Sequence, residues 1–127
     1  MKTGLKYCEE RVLSPISWYC HRAPDGAFLD STSPEELDPP MPSKVPGKGF
    51  PVWTLEHQGR ELYFSSHFEI KQVVDLLGQK ILPHNKTLTE GSGYSNQHWL
   101  SRLHKSWMPW KTRQRMVAKL EKLLPDS

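Results

Sequence analysis

The sequence predicts a small α+β domain, with a mainly antiparallel sheet covered by one helix and followed by a C-terminal helical pair. Three observations carry this. A hairpin pattern at 52–65 runs directly into a capped helical pattern at 66–77. The last third has apolar residues at helical spacing. The chain of 127 residues is long enough for one modest core but not for two.

The stretch 1–38 reads as strand-rich. Ile16, Trp18 and Cys20 alternate with Ser17, Tyr19 and His21, the period of a half-buried strand. Ala23-Pro24-Asp25-Gly26 then suits a type I turn, with Ala27-Phe28-Leu29 returning. A further strand fits between Leu5 and Leu13. Ser33-Pro34-Glu35-Glu36 marks a helix start that Pro39-Pro40 stops within about a turn. The segment 39–51 is a Pro-, Lys- and Gly-rich connection without apolar periodicity, read as a linker or as a docking segment for an aromatic groove.

Residues 52–82 give the clearest pattern. Two apolar-alternating runs flank Gln58-Gly59, a two-residue turn in which glycine supplies positive φ. Pairing about that turn sets Leu55 opposite Leu62 and Trp53 opposite Phe64 on one face, which must be buried. The other face pairs Thr54 with Tyr63 and Glu56 with Glu61; two like charges require water or a basic neighbour. Ser66 and Glu69 form a capping box ahead of Phe68, Val73, Leu76 and Leu77, and Gly78 stops the helix. The stretch 83–95 reads as a mobile surface loop, and 96–125 as a basic helical pair broken at Pro109.

Charge is uneven. Residues 85–127 carry eight basic and three acidic side chains, against five and seven in residues 1–45. Arg102, Lys105, Lys111, Arg113, Arg115, Lys119 and Lys122 are the candidate face for nucleic acid or an acidic protein. A helix-turn-helix about Trp107-Met108-Pro109 would place Lys111, Thr112, Gln114 and Arg115 at the reading end of the second helix. A solvated helix face is the plainer alternative. Trp99, Trp107 and Trp110 stand among these cations, either as stacking platforms for bases or as core or subunit-interface residues.

Chemistry is sparse. The six histidines form no H-E-x-x-H, no C-x-x-C accompanies Cys8 and Cys20, and neither a G-x-S-x-G elbow nor a P-loop occurs. No metal or cofactor is expected. Gly91-Ser92-Gly93 ahead of Ser95, with His84 and Lys86 nearby, is the best place for a small anionic ligand. The two cysteines read as thiols or as a disulfide between neighbouring strands. No apolar run reaches membrane-spanning length and the N-terminus lacks a secretory pattern, so a cytoplasmic protein is expected.

These features favour a non-catalytic binding or accessory module, acting through the basic C-terminal helical face or through self-association as a homodimer. A nucleic-acid-binding protein, and a small enzyme with an anionic-ligand site at the His84–Ser95 loop, are the alternatives.

Overall fold

A computed structural model describes residues 1–24, 27–28, 32–80, 103 and 105–125. Among them lie strand β1 (Lys2–Cys8), helix α1 (Ser17–Cys20), strands β2 (Phe50–His57) and β3 (Arg60–Phe64), and helices α2 (His67–Leu77) and α3 (Trp110–Glu121). Single 3₁₀ turns form at Pro34–Glu36 and Lys105–Trp107. The strands make an antiparallel sheet in the order β1-β2-β3, so the architecture is α+β.

The β2–β3 register follows from the alternation. Trp53 pairs with Phe64, Thr54 with Tyr63, Leu55 with Leu62 and Glu56 with Glu61. Leu55, Leu62 and Phe64 are buried, while Trp53 is half-buried. Gln58 (φ 53°) and Gly59 (φ 76°) both take positive φ, the geometry of a type I′ turn. The like-charge pair has its basic neighbours in β1. Lys2 stands opposite Glu56, and the Lys6 ammonium lies 3.8 Å from Glu61.

Joining β1 to the sheet needs a close approach at Gly49. This residue sits at φ 116°, and a Cβ there would lie 2.4 Å from the Cys8 carbonyl oxygen. Only glycine fits both conditions.

One core holds the layers together. Leu55, Leu62 and Phe64 of the sheet meet Ile70, Val73 and Leu77 of α2, with Met116 and Leu120 of α3, Trp107 and Ile16 closing the cluster. Helix α2 starts where the capping box predicts, with Ser66 accepting the Glu69 backbone N–H at 3.3 Å, and ends at Leu77. Phe68, expected with the apolar run, turns outward and is 48% exposed. Leu37 and Met41 form a smaller cluster with Leu13, Trp18 and Ala23.

The first third departs from the sequence expectation. Ser17–Cys20 is a short helix and not a strand, and Ala27 and Phe28 belong to no strand. The reason is local polar competition. Ser14 donates its backbone N–H to the Ser17 hydroxyl and its carbonyl accepts the Ser17 N–H, which winds the chain into a turn. The strand between Leu5 and Leu13 exists but starts at Lys2 and stops at Cys8. Ser33-Pro34-Glu35-Glu36 makes one 3₁₀ turn, with Pro34 at its first position. Cys8 and Cys20 are free thiols.

Among the described residues no helix is long and apolar enough to cross a membrane. The expected loop at 83–95 and the first C-terminal helix fall almost wholly outside the described residues.

Candidate functional site

Two adjacent parts of the molecule gather chemistry, and α3 is the first. Its residues advance 100° each, so Lys111, Lys122, Arg115 and Lys119 fall within an arc of about 80° along about 16 Å of helix. All four are exposed. Gln114 and Ala118 share the arc's neighbourhood, and Glu121 stands at its edge. None of the four cations forms an ion pair with another described residue.

Arg113 does not share this face. It stands about 160° from Arg115 around the helix and is only 5% exposed. Its Nε donates to the Met108 carbonyl at 2.7 Å, and its terminal nitrogens donate to the carbonyls of Leu77 (3.3 Å), Gln79 (2.6 Å) and Lys80 (3.1 Å). The first of these three carbonyls belongs to the last residue of α2 and the other two to the chain just past it, where helix geometry supplies no partner. Arg113 therefore bolts α3 to the C-terminus of α2, and burial lowers its pKa. The expectation that it stands with Lys111 and Arg115 is corrected.

The tryptophans divide similarly. Trp107 is buried in the core. Trp110 is half-buried, with the Arg113 guanidinium 5.1 Å from its ring centroid. Trp107 thus offers no stacking face, and the Arg113 guanidinium takes one face of Trp110. Lys105 is exposed at the preceding 3₁₀ turn. Arg102, Trp99 and the anion-loop residues His84, Lys86, Ser92 and Ser95 lie outside the described residues.

The second gathering is buried and was not anticipated. Glu69, fully buried on α2, accepts hydrogen bonds from the hydroxyls of Ser14 and Ser17 (2.9 Å to the latter) and from the Ser65 backbone N–H (3.0 Å). His21 Nε2 lies 3.0 Å from Glu69 Oε2 and 2.8 Å from Ser66 Oγ. His21 Nδ1 lies 2.6 Å from the Pro39 carbonyl, which can only accept, so that nitrogen carries a hydrogen. In a capping box the glutamate reaches back to the cap residue's own N–H. Here it bonds one residue earlier and turns its second oxygen inward. The only signal was a serine cluster at 14, 17, 65 and 66 beside one histidine, with nothing to show that they meet.

Chemically this network is a clamp. A nucleophile–base–acid relay puts the nucleophile and the acid on opposite nitrogens of the histidine. Ser66 and Glu69 both meet Nε2, and the Ser66 hydroxyl is already engaged as the α2 cap. Burial, reinforced by the negative charge of Glu69, pushes the Cys20 thiol up to about 12, so it is no nucleophile near neutrality. Among the described residues no group of three or more His, Cys, Asp or Glu is placed to hold a metal ion.

Over this clamp the Pro-rich connection folds back on the chain's own aromatics. Pro40, Met41 and Pro42 border a cleft of about 310 Å³ with Trp53, Ser66, His67 and Phe68. The rings of Trp53 and His67 lie 4.3 Å apart. Burial lowers the His67 pKa, partly offset by its hydrogen bond to the Leu123 backbone.

No family model matches the chain, and neither a curated protein nor a solved structure is detectably similar to it.

Proposed function

We propose that this protein is a non-catalytic binding module whose contact surface is the exposed basic face of α3. The observation that carries the reading is the placement of Lys111, Arg115, Lys119 and Lys122 on one arc, exposed and without a described carboxylate partner. Four like charges on one face repel each other, at a cost of a few tenths of a kcal/mol for each neighbouring pair. An anionic partner removes that cost and gains the attraction. The helix is held for the purpose: Met116 and Leu120 sink into the core and Arg113 ties its opposite side to α2. The face is thus rigid before any partner arrives, which lowers the entropy lost on binding.

The test is light scattering after size exclusion at low salt, with polyglutamate, polyphosphate or a mixed-sequence oligonucleotide as ligand. A variant carrying glutamine at positions 111, 115, 119 and 122 serves as control. The expected result is a mass increase for the native chain with at least one polyanion, absent in the variant. Equal behaviour of the two chains overturns the reading.

Self-association is the second reading, and β1 supports it. As an edge strand it leaves one side of its backbone unpaired among the described residues, and Leu5 is 50% exposed there. Light scattering of the native chain alone reads this directly, a mass of two chains supporting it and a mass of one removing it.

A further inference from the structure

We infer that the partner of the α3 face is the phosphate backbone of duplex nucleic acid, bound without regard to sequence. This rests on the reading of α3 as the contact surface and narrows it to one chemistry.

An acidic protein partner is the obvious competitor, and the composition of the face argues against it. Protein interfaces draw their affinity from buried aromatic and apolar anchors inside a polar rim. The exposed arc of α3 offers Lys111, Gln114, Arg115, Ala118, Lys119 and Lys122, with Glu121 at its edge and no apolar side chain larger than alanine. Such a face is all rim. It suits a ligand whose affinity is electrostatic and released as counterions, and that ligand is a polyphosphate chain.

A single strand is disfavoured next. Its binders combine cations with aromatic platforms on which bases stack. Of the described tryptophans beside α3, Trp107 is buried and Trp110 is half-buried with the Arg113 guanidinium over its ring, so no open aromatic row lines the described face. A stiff duplex matches instead. Successive i,i+4 cations rise about 6 Å along a helix that cannot bend away from its anchors. Base reading is missing too: three of the four cations are lysines, which bind phosphate as point charges and impose little geometry.

The expected numbers follow. Four neutralised phosphates give a slope of log affinity against log salt of about −3.6 for duplex DNA, hence about a 150-fold loss between 50 and 200 mM salt. The experiment is fluorescence anisotropy of the full chain with a labelled 16-base-pair DNA duplex across that range. Its arms are an unrelated duplex sequence, an oligothymidylate of equal length and polyglutamate as competitor. Two duplexes bound within about threefold of each other, a slope near the expected value, and a slope about 0.9 shallower in Lys119→Gln support the inference. Circular dichroism confirms that the exposed Lys119→Gln variant folds. Tighter binding to the single strand or to polyglutamate, a tenfold preference between duplexes, or a slope indifferent to Lys119→Gln overturns the duplex partner. The first two of these leave α3 standing as a polyanion surface. Failure to bind any polyanion overturns both readings together.

Discussion

Replacing Glu69 by leucine removes a carboxylate that five groups converge on while keeping the side-chain volume close. The hydroxyls of Ser14 and Ser17 and the Ser65 backbone N–H lose their carboxylate partner within a fully buried site, His21 Nε2 is left with Ser66 alone, and Ser66 loses a longer contact at 3.4 Å. Each buried donor left unpaired costs about 1–3 kcal/mol. Because the small hydroxyls can rotate toward one another, the lower ends apply, and we expect a loss of about 5 kcal/mol. Unfolding entropy for a chain of this length is about 0.27 kcal/mol/K, so the melting temperature falls by about 19 °C. His21→Leu makes an instructive contrast. It leaves Glu69 with its serine and backbone donors, and removes the His21 bonds to the Pro39 carbonyl and the Ser66 hydroxyl, so about 2–3 kcal/mol is lost. Thermal and urea unfolding followed by circular dichroism measure both, and the double variant should cost less than the two singles combined. A Glu69→Leu protein within about 1 kcal/mol of the native chain refutes the clamp. So does a His21→Leu variant that is the more damaging of the two.

Arg113→Gln releases the carbonyls of Leu77, Gln79, Lys80 and Met108. It should cost about 3 kcal/mol in urea unfolding, with Arg113→Lys recovering only part because an ammonium cannot span that fork. Gln58→Asn places the residue that a type I′ turn favours at φ 53° and should raise stability by about 0.5–1 kcal/mol in the same assay. Cys20 sets an alkaline limit. Its thiol titrates near 9.0 in the unfolded chain and near 12 in the folded one, with burial the larger cause and Glu69 the smaller. Between those values the unfolded chain has released a proton that the folded chain keeps, so stability is complete below the lower value and falls as pH rises. Urea midpoints compared at pH 8 and 10.5 should show a steeper fall for the native chain than for Cys20→Ala; parallel slopes would exclude the effect.

The β2–β3–α2 unit was legible because its signals are local. Alternation in 52–57 and 60–65, a two-residue Gln58-Gly59 turn and a Ser66/Glu69 cap each fix a register within a few residues, and all agree. The first third was not legible for the opposite reason. Ile16 to His21 alternates as a strand does, yet Ser14 and Ser17 bond to each other and to a carboxylate 52–55 residues away. Alternation measures which side chains are apolar, and a short helix with Ile16 buried at its cap satisfies the same pattern. Glu69 illustrates the cost of reading a motif by its usual role. A glutamate three residues after a capping serine reads as part of the cap, and its second oxygen is the centre of the buried network.

The basic helix shows where charge stops being informative and phase takes over. Arg113 and Arg115 are two residues apart and chemically identical, so composition places both on the binding face. A helix separates them by about 160°, and once Met116 and Leu120 are assigned inward, Arg113 must lie with them. An arginine on the apolar side of a helix needs a set of acceptors that no other element satisfies, and the end of a neighbouring helix is the nearest source of unpaired carbonyls. Both facts were in the sequence: the apolar phase of α3, and the end of α2 at Gly78. The same argument assigns the remaining cations. Lys111, Arg115, Lys119 and Lys122 have no inward acceptors by phase, so any role they have is directed at solvent and at whatever anion approaches through it.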